Sequence, residues 1–252
     1  MGIEGAVVLV TGGAGGIGAS AARLFARDGA GTIVIADVKD AAETVEAVQS
    51  AGAKAEWVDV DLSEEANVED LVGRIVADHG RLDVAFNNAG ITGFMTTFHE
   101  LEKDVWDRML AVNLTAVFLC MKHELAHMVE RGGGGAIVNT SSGAGVFGFP
   151  GLPHYVAAKH GVIGLTRTAA TEYGAQGIRV NAVLPGPTET PMLLDFMGDD
   201  PNLRSLMAAS VPSGELLKPD DIAEAVVWLA SDKARMVSGQ AYLVDGGSIH
   251  SR

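Results

Sequence analysis

Cysteine is nearly absent: Cys120 is the single thiol in 252 residues. That excludes a disulfide framework and any metal centre built on paired cysteines. Cys120 lies in the apolar run Val117-Phe118-Leu119-Cys120-Met121, where a small buried thiol is the expectation. Positive charge is scarce as well, with 18 Lys and Arg against 32 Asp and Glu and a formal net charge of −14. No basic block stands out along the chain, which argues against nucleic acid and anionic membrane surfaces as partners. An acidic carrier protein would meet the same repulsion. Long hydrophobic runs are missing too. The apolar stretch from Ala6 to Val10 is too short for a secretory signal, and no stretch reads as a membrane span. Ala6 also stands where an N-myristoylation motif has Ser or Thr. The expectation is a soluble cytoplasmic protein whose partner is a small molecule.

Glycine is plentiful, at 32 residues, and punctuates an alternation of short apolar runs with longer helical patterns. Strands are expected at 6–11, 32–36, 55–58, 82–86, 136–140, 179–183 and 241–244. Helices are expected at 17–28, 41–51, 64–79, 102–131, 153–175 and 219–231. The strand runs are continuously apolar, which suits a parallel sheet covered on both faces. Several helical patterns stop at a glycine, as at Gly29, Gly52, Gly80 and Gly132, the usual C-cap signature. This spacing implies right-handed βαβ crossovers and an α/β fold with a doubly wound parallel sheet. With no linker or repeat, one domain over 1–252 is expected.

The proline-rich stretch from Pro185 to Pro219 breaks the rhythm. It contains Met192-Leu193-Leu194-Asp195-Phe196-Met197 and shows no strand pattern. Ligands of open α/β sheets bind beyond the carboxyl ends of the strands. This insert, about 187–218, is therefore read as a small helical substrate lobe.

Thr11-Gly12-Gly13-Ala14-Gly15-Gly16-Ile17-Gly18 joins the first strand to the first helix. Glycines there allow a sharp turn and let backbone approach a pyrophosphate at the helix N-terminus. Asp37 ends the second strand, where a carboxylate accepts hydrogen bonds from ribose hydroxyls and repels a 2′-phosphate. Only Lys39 offers a nearby cation. NAD, rather than NADP, is the expected cofactor.

Tyr155 and Lys159 are four residues apart in a helical pattern, so they share one face. A neighbouring ammonium and the positive ring of oxidised nicotinamide would favour the phenolate. Such a tyrosine suits general acid/base exchange with an alcohol or ketone. Ser141-Ser142-Gly143 follows the fifth strand, and a hydroxyl there can bond a substrate oxygen as charge develops on it.

Taken in order, Thr11-Gly12-x-x-x-Gly16-x-Gly18, Asn87-Asn88-Ala89-Gly90, Asn113, Ser142, Tyr155-x-x-x-Lys159 and Pro185-Gly186 resemble the short-chain dehydrogenase/reductase family. The resemblance spans nearly the whole chain, to Val244-Asp245-Gly246-Gly247. It implies a Rossmann fold, NAD-linked oxidoreduction at CH–OH groups, and commonly a homotetramer. It also implies that Ser142 binds substrate, Lys159 holds the nicotinamide ribose, and Asn113 positions a water on the proton path. Gly12, Gly16, Ile17 and Gly18 would serve the nucleotide turn. Asp61 and Leu62 would meet adenine, Asn88 the adenosine ribose, and Thr188 and Thr190 the carboxamide. Thr188 replaces the Val or Ile usual in the family.

Other readings compete. His123-Glu124-Leu125-Ala126-His127 spells the zinc-hydrolase pattern H-E-x-x-H, but nothing singles out a third ligand, and no metal is expected. An NAD-using isomerase or lyase would share the Tyr–Lys pair, though such chains usually carry a larger substrate domain. A 3-oxoacyl-carrier reductase conflicts with Asp37 and the net charge; a polyol reductase stays open. The lobe residues Met192, Leu193, Leu194, Phe196, Met197, Leu203, Leu206 and Met207 are apolar. Phe94, Met95, Phe147, Phe149 and Leu152 flank the reacting segments. Arg204 is the lone base beside them. A hydrophobic cyclic, aryl or steroid-like secondary alcohol is the expected substrate.

Overall fold

A computed structural model describes residues 2–198 and 200–249. Its strands are β1 (Val7–Thr11), β2 (Thr32–Asp37), β3 (Lys54–Asp59), β4 (Val84–Asn87), β5 (Gly135–Thr140), β6 (Ile178–Pro185) and β7 (Ala241–Val244). They form one sheet in the order β3-β2-β1-β4-β5-β6-β7, with every pairing parallel. The chain winds outward from β1 to β3, then returns to lay β4 on the other side of β1. The crevice between β1 and β4 is therefore the switch point where ligands bind in such sheets.

The helices are α1 (Gly16–Arg27), α2 (Ala42–Ser50), α3 (Glu65–His79), α4 (Lys103–Leu110), α5 (Ala116–Glu130), α6 (Pro153–Tyr173), α7 (Pro191–Met197), α8 (Pro201–Ala209) and α9 (Pro219–Ala230). Successive strand residues point to opposite faces. Val8, Val10, Ile33 and Ile35 pack with Leu24 and Phe25 of α1, Val48 of α2 and Val226 of α9. On the other face Leu9 and Val34 meet Leu71 of α3 and Leu119 of α5. Ile137 and Val180 meet Met121 of α5 and Val162 of α6. Both faces are thus covered, except at the two edge strands, where β3 leaves Trp57 exposed and β7 leaves Tyr242 exposed. Gly80 closes α3 at φ 76°, a left-handed position that glycine adopts without strain.

One difference from the sequence reading matters. The helix expected over 102–131 is α4 and α5 joined by a single π turn, Ala111–Thr115, which holds Asn113. Together they form a 28-residue helix, Lys103–Glu130, long and apolar enough by composition to cross a membrane, where the sequence reading found no stretch that reads as a membrane span. Half of its most apolar window is buried inside the protein, and it packs on α3 and α6, which is how a core helix behaves. The lobe is α7 and α8, closed at its base by a parallel bridge between Thr188 and Leu217. Its prolines open helices: Pro191 and Pro219 lie in first turns, where a missing N–H costs nothing.

Candidate active site

A cavity of about 650 Å³ opens along the carboxyl edge of the sheet. At the end beside β1 and β2, Gly12 turns at φ +65°, and a Cβ there would sit 2.7 Å from the Ala89 Cα. Only glycine lets the β1 turn close on the segment after β4. Gly16 and Ile17 line the cavity at the start of α1, where the first N–H groups lack intrahelical acceptors. Gly18 does not line it. A Cβ on Gly18 would meet the Gly12 carbonyl oxygen at 2.2 Å, so this glycine lets α1 pack back on the turn and works from behind the wall.

Asp37 lines the cavity and is locked to the turn. Its Oδ2 accepts from the Ala14 N–H at 2.9 Å and its Oδ1 from the Lys39 N–H at 2.9 Å. Asp61 and Leu62, beyond β3, also line it. Hydrogen bonds from the Ser63 N–H and hydroxyl hold the Asp61 carboxyl below the usual carboxylate range. The Asn88 amide donates to Thr11 O at 3.2 Å and Gly12 O at 3.0 Å, and its N–H to the Thr11 hydroxyl at 2.9 Å. A Cβ-free turn, a helix N-terminus and a fixed carboxylate on one wall fit a dinucleotide.

At the other end Ser142, Tyr155 and Lys159 meet on the same cavity. The Ser142 hydroxyl accepts from the Ala144 N–H at 3.1 Å and hydrogen-bonds the Tyr155 phenol. One turn along α6, the Lys159 Nζ donates to Thr140 O at 2.9 Å and lies 5.6 Å from the Tyr155 ring centroid. Burial lowers the Lys159 ammonium to about 8. The phenol departs from expectation: burial pushes Tyr155 up, and the Ser142 hydrogen bond offsets only part of this. With protein groups alone, desolvation of the phenolate dominates.

Asn113 is fully buried and does not reach the cavity. Its Oδ1 accepts from the Ile91 N–H and its Nδ2 donates to Ile91 O, both at 2.8 Å. The π turn brings this amide against Gly90, where a Cβ would lie 2.9 Å from Asn113 Oδ1 and 3.7 Å from Lys159 Nζ. Thr188 and Thr190 line the cavity, but the Thr188 hydroxyl donates to Gly186 O at 3.0 Å. Thr190 caps α7 through the Leu193 N–H.

The H-E-x-x-H residues face different partners. The His127 Nε2 accepts from the Leu82 N–H at 3.2 Å, and burial lowers its pKa. Glu124 lies in the core, its Oε2 accepting from Asn87 Nδ2 at 3.0 Å, and burial pushes it up to about 8. The His123 Nε2 lies 3.6 Å from the Glu65 carboxylate. Among the described residues no cluster of three metal-ligating side chains occurs.

Of the apolar candidates, Phe147, Phe149, Leu152, Met192, Leu193, Phe196 and Met207 line the cavity. Phe94, Met95, Leu194 and Leu206 are exposed, and Met197 is buried elsewhere. Arg204 pairs with Glu189. Sequence reasoning missed Thr92, Ser248 and Ile249, which also line the cavity, and the Thr140 carbonyl that holds Lys159. No local signal marks them, because each reaches the site only through the fold.

Known proteins resemble this chain along nearly its whole length. Residues 12–248 match a family model described as enoyl-(acyl carrier protein) reductase. The chain is 47% identical over 242 residues to the cis-4-hydroxycyclohexanecarboxylate dehydrogenase of Sinomonas cyclohexanicum, covering 96% of this chain and 95% of that one. It is 43% identical over 246 residues to the 2,5-dichloro-2,5-cyclohexadiene-1,4-diol dehydrogenase of Sphingobium indicum, covering 97% of each. A crystal structure of carveol dehydrogenase from Mycobacterium avium in complex with NAD superposes with a TM-score of 0.93 at 33% identity, covering 99% of this chain and 100% of that one. By its family match, its sheet order and its Ser142–Tyr155–Lys159 site, the chain belongs to the short-chain dehydrogenase/reductase family.

Proposed function

We propose that this protein is an NAD-dependent dehydrogenase of cyclic secondary alcohols, run in either direction between alcohol and ketone. The observation that carries this is one cavity joining the Asp37 carboxylate and glycine turn to Ser142, Tyr155 and Lys159. The names of the relatives support a ring-bearing alcohol, as do Phe147, Phe149 and Met207 in the wall. When bound, NAD accepts the hydride in oxidation and, reduced, donates it in ketone reduction.

Gly12, Gly16 and Ile17 hold the pyrophosphate, Asp37 and Asn88 the adenosine ribose, and Asp61 and Leu62 the adenine. Thr188 and Thr190 meet the carboxamide. The Ser142 hydroxyl holds the substrate oxygen beside the phenol. Tyr155 Oη takes the alcohol proton in oxidation and returns it in reduction. Lys159 receives that proton and holds the nicotinamide ribose, while Asn113 keeps the 90–91 segment in place and a water on the path beyond Lys159.

The whole chain acts as one domain with its substrate lobe. We read it as cytoplasmic and as a homotetramer; Phe118 and Val129, exposed on α5, support an interface between copies. A panel of cyclic and open-chain secondary alcohols with NAD and with NADP, followed by cofactor absorbance, tests the proposal. Turnover of cyclic alcohols with NAD is expected. Activity with NADP far above that with NAD would overturn the role given to Asp37.

A further inference from the structure

The geometry points to the C-terminal turn as a specificity-determining wall: Ile249, clasped by Asp245, sets how large a ring substituent the site admits. This rests on the proposed reading of the cavity as an alcohol site. Asp245 follows β7 and is nearly buried. Its Oδ1 accepts from the Gly247 N–H at 3.0 Å and its Oδ2 from the Ile249 N–H at 2.9 Å. The Ser248 N–H donates to Asp245 O at 3.1 Å. Three bonds to one residue thus wind 245–249 into a defined turn.

The turn is seated as well as wound. The Gly186 N–H donates to Val244 O at 2.9 Å, and a Cβ on Gly186 would lie 2.7 Å from the Asp245 Cα. So positioned, Ile249 leans over Gly143, the residue after Ser142. A Cβ on Gly143 would meet Ile249 Cδ1 and Phe147 Cε1, each at 3.3 Å. Ile249 and Phe147 both line the cavity. A β-branched side chain has little χ1 freedom to retreat, so its volume acts as a hard limit one residue from the Ser142 hydroxyl that holds the substrate oxygen. Asp245 directs both oxygens to backbone N–H groups, so it acts through Ile249 as a positioning residue.

The test compares kcat/KM for cyclohexanol and 4-tert-butylcyclohexanol in wild type, Ile249→Ala and Ile249→Trp. Pocket volume changes of this kind are worth about tenfold or more in discrimination. Ile249→Ala is expected to shift the ratio about that far toward the bulky alcohol, and Ile249→Trp in the opposite direction. Asp245→Asn, which keeps one acceptor oxygen, is expected to move the ratio the same way as Ile249→Ala; a general structural loss would lower both substrates alike. Ratios within about twofold of wild type in both Ile249 variants would overturn the wall, being far below a single-methylene effect.

A second measurement needs no turnover. Cys120 is buried, so Ile249→Cys supplies the one thiol on the cavity. Its maleimide labelling is expected to slow severalfold with NAD plus cyclohexanone, and an unchanged rate overturns the proposal. Wild type that releases no NADH from any cyclic alcohol would sink the reading of function, while the labelling still decides the place of Ile249.

Discussion

The two ends of the cavity are held by different forces. At the adenosine end the contacts are backbone and hydrogen bond: the Gly12 turn closes on Ala89, Asp37 grips the Ala14 N–H, and Asn88 ties itself to Thr11 and Gly12. At the substrate end the wall is side-chain volume from three separate stretches: Phe147 to Leu152, the lobe helices α7 and α8, and the tail at Ile249. A hydrogen-bonded backbone cradle admits no added atom, because the groups it would displace are buried and paired. An apolar wall tolerates changes of volume and converts them into selectivity. The difference teaches why one fold can keep its nucleotide end constant while the alcohol it meets is set elsewhere. Tyr155 and Lys159 stand at the junction.

The largest blow falls on that junction. Tyr155→Phe removes the proton-transfer group without changing the wall, so kcat is expected to fall by about a thousandfold while NAD still binds, as read by quenching of tryptophan fluorescence. Retention of more than a tenth of wild-type turnover would remove Tyr155 from its role. Next in size, Gly12→Ala breaks the rigid end. A Cβ at φ +65° would overlap the Ala89 backbone, and NAD affinity is expected to drop by about a hundredfold, the scale of a severe steric and backbone penalty. Met207→Ala, at the soft end, is expected to leave the KM for NAD unchanged. Equal effects of the two substitutions on NAD would erase the contrast.

A smaller effect concerns pH. Burial lowers Lys159 to about 8, so the amine becomes neutral, and able to accept the proton passed on by Tyr155, as pH rises through that value. Alcohol oxidation should therefore rise with pH up to about 8 and level off above it, with ketone reduction falling across the same window. Lys159→Arg, permanently charged, should lose the inflection near 8. An unchanged profile would assign the ionisation to another group.

The smallest effect probes the support beneath the rigid end. Asn87, the neighbour of Asn88, donates to both Glu124 and Asn139 at 3.0 Å. Burial raises Glu124 from 4.5 to about 8, so the folded state binds a proton that the unfolded state releases. The native advantage is complete below about 4.5 and is lost as pH rises through about 8. Glu124→Gln has no proton to lose, so its Tm should exceed that of wild type by a few degrees at about pH 8, with the gap closing near pH 5. A constant gap across that range would show that Glu124 does not titrate in the fold.

Much of the nucleotide end was legible because its parts are neighbours in the chain. The turn from Thr11 to Gly18 and the carboxylate at Asp37 follow directly from strand ends. Gly18 was legible as part of the motif, though its contact is with Gly12 O rather than the cavity. Asn113 was recognisable by its place in the pattern; the π turn that bends its amide toward Ile91 was not. The substrate end was the least readable. Phe94 and Met95 have the composition of a pocket wall yet face solvent, while Ile249 resembles nothing in particular until Asp245 folds it over Gly143.

By itself the sequence determined the alternation of strands and helices, the glycine turn, the carboxylate of Asp37 at the end of the second strand and the placing of Tyr155 and Lys159 one turn apart. These depend on periodicity and short-range stereochemistry, which act within a few residues. Tertiary structure alone decided that Ser142 hydrogen-bonds Tyr155, that Thr140 holds the lysine, that desolvation raises the phenol, and which apolar residues line the cavity. Burial and contact between segments a hundred residues apart arise only when the sheet closes and excludes water.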